Sequence, residues 1–186
     1  MRSQWNVRYL YIIYISQNSL RKIIGVVPQD TVLFNDSIYY NIAYGNASSS
    51  KEEVINAAKN ANIHNFISSL PDGYKTIVGE RGLKLSGGEK QRVAIARTIL
   101  KNPKIFFFDE ATSALDTSTE KEIQKNLENI SAGKTTLIIA HRLSTAANAD
   151  NIIVIDKGAI IEQGTHQNLL LKKGKYFEMW EKQKPN

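Results

Sequence analysis

Short apolar runs alternate with longer amphipathic segments along most of this 186-residue chain. Three runs, Ile23–Val27, Lys104–Asp109 and Thr135–Ala140, are continuous rather than alternating, which is typical of strands buried on both faces of a parallel sheet. Two further runs, 151–156 and 159–163, flank Lys157-Gly158 and predict a hairpin. Strands that alternate with helices indicate an α/β fold with a mainly parallel sheet.

Apolar residues at helical spacing predict the helices between these strands. Lys51–Asn60 follows Ser50, which forms the capping-box spacing with Glu53. Gly87–Leu100 is ended by Asn102-Pro103. Because the stretch 51–101 is mostly helical, we expect it to form a helical subdomain beside the sheet. Further helices are predicted over 37–44, 64–70, 119–130, 165–171 and 175–181.

Composition narrows the function only slightly. The chain has 24 Lys and Arg against 18 Asp and Glu, a net charge of +6, and no cysteine. The missing cysteines exclude disulfides, a thiol nucleophile and cysteine-ligated metals. The run Tyr9–Ile15 is too short to span a bilayer. The positive charge permits an acidic partner, but no basic patch with interleaved aromatics indicates nucleic acid.

Ser86-Gly87-Gly88 lies at the predicted start of the helix Gly87–Leu100. The first turn of a helix exposes unpaired N–H groups and the positive end of the dipole. Glycine lets a phosphate approach that backbone, and Ser86 adds a hydroxyl donor. These residues predict a nucleotide-binding turn, although a serine cap with a glycine turn is the simpler structural alternative.

Asp109-Glu110 ends a strand, where α/β sheets place their ligands. Asp109 is predicted to help hold Mg²⁺, partly through water, and Glu110 to orient or deprotonate an attacking water. The alternative is an acidic pair that caps the following helix.

Three more residues are candidates for the site because of their positions in the sequence. His141 directly follows the run Thr135–Ala140, so it can donate to a phosphate oxygen as charge develops, although a structural role would be favoured for a histidine taken alone. Gln29 follows the first strand and can reach Mg²⁺ and the attacking water. Asp116 can cross a dimer interface or cap the helix that follows it.

Taken in order, these segments resemble a known family. Gln29, Leu85–Glu89, Asp109-Glu110, Ser113–Asp116 and His141 resemble the Q-loop, signature motif, Walker B motif, D-loop and H-switch of ABC-transporter nucleotide-binding domains. Gly79–Gly82 resembles a loop of exporter-type members. Val26–Ile38 and Arg81–Gly88 resemble the mitochondrial iron–sulfur-linked half-transporters and their α-proteobacterial relatives. The resemblance covers 19–180, with 1–18 unmatched and 181–186 as a tail.

The resemblance implies a P-loop NTPase-like fold whose N-terminal part is truncated. The family binds ATP through Gly-x-x-x-x-Gly-Lys-Ser/Thr, upstream of the Q-loop, and this sequence contains no such motif. Its only Gly-Lys-Thr begins at Gly133, with Glu128 where the first glycine should be. A predicted helix precedes it and a strand follows, the reverse of a phosphate loop, so we reject it as a nucleotide site.

The implied function is an ATP-binding and hydrolysing motor domain of an exporter, and the substrate that the resemblance suggests is a glutathione-linked sulfur or metal species. The implied cofactors are ATP and Mg²⁺. Catalysis is assigned to Glu110, His141 and Gln29, and the metal to Asp109 and Gln29. The residues implied to contact nucleotide are Ser86, Gly87, Gly88, Gln29, Asp109 and Asp116.

The implied partner is a second nucleotide-binding domain, together with a transmembrane domain absent from this chain. The location is the ATP-containing side of a membrane, either the matrix face of the mitochondrial inner membrane or the cytoplasmic face of a bacterial plasma membrane. An alternative is a non-catalytic truncated module that regulates an intact ABC subunit. A soluble ABC ATPase acting on DNA or ribosomes is disfavoured by the exporter-type loop Gly79–Gly82.

Overall fold

A computed structural model describes residues 16–109, 117–140 and 142–183. The chain divides into two compact units, with the boundary between Leu137 and Ile138. In the part of the chain that the structure describes, none of the helices has the length and apolar composition to cross a bilayer.

A three-stranded sheet of order β1-β2-β3 is formed by β1 (Ile24–Val27), β2 (Ile105–Asp109) and β3 (Thr135–Ile139), and the boundary between the two units falls within β3. β1 and β2 are parallel, with Val27 opposite Phe108. The helices of the first unit are α1 (Gln17–Ile23), α2 (Ile38–Ala43), α3 (Lys51–Asn60), α4 (His64–Ser69), α5 (Gly87–Lys101) and α6 (Thr117–Ser131). Short 3₁₀ turns lie at Gly73–Lys75 and Glu80–Gly82.

The core of this unit forms where the sheet meets α3 and α5. Phe106 and Phe108 are both buried, and their rings stack with centroids 5.5 Å apart. Val54 of α3 and Ile95 of α5 are fully buried in the same cluster. The continuous apolar run of β2 is therefore explained by burial against helices, as expected for a parallel sheet.

Helix α5 lies very close to β1. The Thr98 hydroxyl donates to the carbonyl of Ala94 at 3.0 Å and lies 3.3 Å from the carbonyl of Val26. A Cβ at Gly25 would lie 2.6 Å from a Pro103 side-chain carbon and 2.7 Å from one of Thr98. Glycine at position 25 therefore sets how closely the helix approaches the strand.

The second unit contains α7 (Leu143–Ala146), the hairpin β4 (Ile152–Asp156) and β5 (Ala159–Gly164), then α8 (His166–Lys172) and α9 (Lys175–Gln183). The hairpin is antiparallel, and both turn residues, Lys157 and Gly158, have positive φ, as in a type I′ turn. The core of this unit consists of Leu143, Ile152, Val154, Leu169 and Tyr176.

The predicted strands, the hairpin and the main helices are confirmed, and the α/β fold class with a parallel sheet holds. Helices α1 and α7 were not predicted, because both are short and lack an extended apolar period. The prediction that Thr135–Ala140 is buried is wrong, since Leu137, Ile138 and Ile139 are all exposed. β3 is the last strand of its sheet. An apolar sequence indicates that a strand is suited to burial, but it does not indicate which residues cover that strand.

Candidate functional site

The candidate site includes the N-terminus of α5, where Ser86 and Glu89 form a capping box. The Ser86 hydroxyl accepts from the Glu89 backbone N–H at 3.3 Å, and the Glu89 carboxylate accepts from the Ser86 N–H at 2.7 Å. Gly87 and Gly88 are the first two residues of the helix. A hydroxyl that accepts a hydrogen bond retains its own proton as a donor, so Ser86 can cap the helix and contact a ligand at once.

Gln29 and Gly87 line the same cavity. Its volume is about 200 Å³. The structure thus brings together two residues that are far apart in sequence and that were predicted separately, one after β1 and one at the start of α5. The remaining lining residues are Asp30, Thr31, Lys90 and Gln91.

Asp109 lies at the carboxyl end of the sheet, on the same edge as Gln29. Val27 is opposite Phe108 in the parallel register, so Asp109 and Gln29 follow two neighbouring strands at their ends. Carboxylate and amide oxygens suit Mg²⁺, which keeps several water and phosphate ligands rather than demanding a full protein cage. The described residues contain no cluster of three His, Cys, Asp or Glu side chains, so they fit a magnesium ion only as a partial ligand set.

The segment after Gln29 is fixed by the fully buried Asn41 of α2. The Asn41 side-chain oxygen accepts from the Phe34 N–H at 2.9 Å, and its amide nitrogen donates to the carbonyls of Phe34 and Ser37, each at 3.0 Å. Arg97 of α5 donates to the Asn41 carbonyl at 2.7 Å and to its side-chain oxygen at 2.9 Å. Asn41 therefore connects the segment that follows Gln29 to the body of α5.

An aromatic cluster lies over this connection, and sequence reasoning missed it. Phe34, Tyr40 and Tyr44 are all partly exposed, and the Phe34 and Tyr44 ring centroids are 4.5 Å apart. The Arg97 guanidinium lies 5.5 Å from the Phe34 centroid and 5.8 Å from that of Tyr44. Burial lowers the pKa of Arg97, opposed by the charge interaction with Tyr44. The signal available in the sequence was two tyrosines four residues apart on one short helix.

The exporter-type loop packs beside the signature turn. The Val78 N–H donates to the Asp36 carbonyl at 3.1 Å, and the Leu85 N–H donates to the Gly82 carbonyl at 3.0 Å. Arg81 has a φ of 49°, an uncommon conformation for a residue with a side chain. Hydrogen bonds thus connect the segment after Gln29 to this loop, and the loop to the residues just before Ser86.

Several predicted site residues lie outside the described residues. They are Glu110, Asp116 and His141, together with the rest of the segment resembling the D-loop. Of the predicted site, the structure therefore describes Gln29, Ser86, Gly87, Gly88 and Asp109.

The structure combines a mainly parallel α/β sheet with a helical region, and it places a signature turn beside a glutamine loop. Together these features define an ABC-type nucleotide-binding domain. The profile of the ABC transporter family matches residues 5–113, so the chain belongs to that family and corresponds to part of its nucleotide-binding domain.

Two of the similar curated proteins carry heavy metals in their names. The chain is 64% identical over 168 residues to Heavy metal tolerance factor 1 of Caenorhabditis elegans, covering 90% of this chain and 21% of that protein. It is 59% identical over 172 residues to an ATM1-type heavy metal exporter of Novosphingobium aromaticivorans, covering 92% of this chain and 28% of the relative. The solved structure of a bacterial Atm1-family ABC exporter with ATP bound superposes with a TM-score of 0.92 and 58% identity, over 94% of this chain and 31% of the exporter.

Proposed function

We propose that this chain is the signature-bearing part of an ABC exporter's ATPase motor, and that it works by pairing with a second nucleotide-binding domain around Mg²⁺ and ATP. The observation that carries this proposal is the shared cavity of Gln29 and Gly87. It joins the end of a sheet strand to the positive end of a helix, which is where an anionic ligand is stabilised.

The signature turn acts on nucleotide held by the partner domain. The Ser86 hydroxyl and the backbone N–H groups of Gly87 and Gly88 donate to phosphate oxygens. Because these donors are fixed by the α5 capping box, little reorganisation is needed as charge develops on the phosphate.

On the sheet edge, Asp109 and Gln29 hold Mg²⁺, partly through water. When bound, the ion neutralises charge on the transferred phosphoryl group. Glu110 orients or deprotonates the attacking water, His141 donates to the γ-phosphate, and Asp116 contacts the partner. Gln29 also responds to movement of the segment that Asn41 anchors, so it links the nucleotide to the aromatic cluster on α2 and the loop before it.

The names of two relatives, a heavy metal tolerance factor and a heavy metal exporter, support export of heavy-metal species as the work of the assembled transporter. Glutathione-linked sulfur or metal compounds are the form that we propose for the exported species. The chain then acts on the ATP-containing side of a membrane, in mitochondria or in a bacterium. The exposed aromatics Phe34, Tyr40 and Tyr44 support a docked partner near Gln29, and a transmembrane domain fits that place.

A second candidate is a non-catalytic module that pairs with an intact ABC subunit and regulates it. One observation favours it: the signature turn is complete, whereas the sequence contains no Gly-x-x-x-x-Gly-Lys-Ser/Thr. Such a chain contributes Ser86–Gly88 to its partner's ATP site while holding no ATP tightly itself.

The proposal is tested by mixing the purified chain with the intact nucleotide-binding domain of the Novosphingobium relative. We expect a one-to-one complex by sedimentation that forms only with Mg²⁺ and a non-hydrolysable ATP analogue, and no phosphate release by the chain alone. Complex formation that ignores nucleotide, or that is absent, would contradict the proposal. Phosphate release by the mixed complex would support the motor. A complex that forms without phosphate release would support the regulatory module.

A further inference from the structure

Five cationic residues lie at the edge of the sheet opposite the candidate site. Gln29 follows β1 and Asp109 ends β2, whereas these cations precede the strands. Two belong to the last turn of α1, one belongs to the last turn of α5, one precedes β2 and one precedes β3. We call the five residues the basic edge: Arg21, Lys22, Lys101, Lys104 and Lys134.

The ends of α1 and α5 meet at this edge. The Lys101 ammonium donates to the carbonyls of Arg21 and Ile24, each at 2.7 Å. The backbone N–H of Lys104 donates to the carbonyl of Ile23 at 2.9 Å. The cations that flank the end of α5 are therefore held beside those in the last turn of α1.

Lys134 joins the same edge just before β3. Its ammonium donates to the Asn102 side-chain oxygen at 2.7 Å and lies 5.2 Å from the centroid of the Phe106 ring. Lys101 and Lys134 are thus held by neutral groups, which fix the positions of the two charges without neutralising them. A fixed charge binds an anion at a smaller cost in side-chain entropy than a mobile one does.

The segments that supply the basic edge contain no carboxylate side chains. Neither Asp nor Glu occurs within 1–29, 90–108 or 129–149. Between described residues, the ion pair Lys175–Glu178 lies in the second unit, and the basic edge forms none. Because charges of one sign held this close repel one another, an anionic partner that neutralises them is stabilised.

Helix dipoles account for only part of this arrangement. A cation in the last turn of a helix is stabilised by the dipole, which is enough to explain Arg21, Lys22 and Lys101. Lys104 and Lys134 precede strands instead, and β-sheets have only small net dipoles. The convergence of all five cations on one edge therefore exceeds what helix stability requires.

The surroundings of the basic edge distinguish among anionic partners. Single-stranded nucleic acid stacks its bases on exposed aromatic rings, whereas Phe106, the ring beside Lys134, is buried. Binding to an anionic bilayer is strengthened by apolar side chains that insert into it. The stretches 20–24, 101–105 and 131–135 contain no exposed large apolar side chain. An acidic peptide needs neither feature.

We propose that the basic edge is a docking surface for an acidic peptide segment of a partner protein. The exposed side chains of Arg21, Lys22 and Lys104 pair with its carboxylates, and the two lysines held by neutral groups supply fixed charge beside them. Because the basic edge lies across the sheet from the candidate site, docking leaves that site open and requires no nucleotide.

The test follows the fluorescence anisotropy of a fluorescein-labelled peptide of repeated Glu-Asp-Gly units as the full chain is added. A peptide of repeated Gln-Asn-Gly units is the neutral control. We expect saturable binding of the acidic peptide that weakens as salt rises, and no binding of the neutral peptide. The double variant Lys22→Glu, Lys104→Glu should bind at least about tenfold more weakly, because each substitution reverses a charge that pairs with the peptide.

A matched double variant, Lys59→Glu with Lys75→Glu, makes the same change in net charge outside the basic edge. Lys59 and Lys22 are both exposed lysines in the last turn of a helix, so their reversals disturb the dipole alike. This variant should bind within about twofold of the unmodified chain. The melting temperature of each variant shows whether its fold is intact.

A measurement on the unmodified chain requires no variant. The amide resonances of 21–24 and 101–104 should shift when the acidic peptide is added. Absence of saturable binding, equal weakening by the matched double variant, or shifts confined to another surface would overturn the proposal. So would a single-stranded oligonucleotide or phosphatidylserine vesicles that bind the basic edge more tightly than the peptide does, because the surface would then belong to a different class of partner.

Discussion

Helices α3 and α5 begin with the same hydrogen bonds and differ in the residues that follow. In α3 the Ser50 hydroxyl accepts from the Glu53 N–H at 3.2 Å, and the Glu53 carboxylate accepts from the Ser50 N–H at 2.7 Å. The capping box of α5 has the same two bonds, at 3.3 and 2.7 Å. After the serine, α3 continues with Lys51-Glu52 and α5 with two glycines.

The comparison separates what a cap does for the fold from what a site requires. Glycine has a low helix propensity, about 1 kcal/mol less favourable than alanine in a helix interior, so a glycine pair in the first turn is not chosen for stability alone. In α3 the first turn carries two acidic residues that complement the helix dipole, whereas in α5 only Glu89 does so. The start of α5 therefore keeps an accessible, less compensated positive end, and it faces a cavity shared with Gln29.

The largest expected effect comes from placing a carboxylate at the first position of each helix. Gly87→Asp should reduce ATP-dependent pairing with an intact nucleotide-binding domain by about a hundredfold or more, because the carboxylate occupies the place of a phosphate. The dipole should favour the new charge, so the melting temperature should stay the same or rise. Sedimentation with an ATP analogue measures the pairing.

The matched control is Lys51→Asp, which places the same carboxylate at the same position of α3. It should leave ATP-dependent pairing unchanged. Equal losses from Gly87→Asp and Lys51→Asp would show that net charge, rather than the signature turn, governs the pairing.

The next effect concerns what positions α5 rather than its first turn. Gly25→Ala forces a Cβ against Pro103 and Thr98, so α5 must move away from β1. We expect a loss of about 1 to 3 kcal/mol in the free energy of unfolding, measured with urea. Amide exchange should accelerate in β1 and near Thr98, while the start of α3 keeps its protection. An unchanged free energy of unfolding would contradict the packing described here.

A smaller effect is expected from removing each capping serine. Ser86→Ala and Ser50→Ala should each lower the free energy of unfolding by about 1 kcal/mol, because each deletes the same cap. Only Ser86→Ala should also weaken ATP-dependent pairing, since only that hydroxyl is proposed to contact nucleotide. If both variants weaken pairing equally, Ser86 acts through stability alone.

The capping boxes show how far the sequence carries the prediction. Ser50 and Glu53 could be recognised from spacing because a capping box is local, with all its partners within four residues. The meeting of Gln29 with Gly87 depends on β1 packing against α5, which no local pattern contains. The resemblance to a family gave both residues a role, and only the fold placed them beside one cavity.

The exposure of β3 and the role of Asn41 were beyond sequence reasoning for a related reason. An apolar run such as Leu137–Ile139 indicates that a strand is suited to apolar contacts. Whether the strand is exposed depends on which residues pack against it. Asn41 lies inside a short helix and shows no motif, yet it is fully buried and hydrogen-bonded to Phe34 and Arg97. Its importance comes from burial, which forces every polar atom to find a partner.

The smallest effect concerns acid stability at α3. Hydrogen bonds from the Ser50 backbone and hydroxyl lower the pKa of Glu53 below its ordinary value of 4.5. A depressed pKa means that the stabilisation is complete above that value and is lost as the pH falls through the folded pKa. Glu53→Gln should therefore be less stable than the unmodified chain at neutral pH, and the difference should shrink in acid. Urea unfolding across this range measures it, with Glu52→Gln as a control that keeps the bonds to Ser50; a difference that persists undiminished in acid would contradict the assignment.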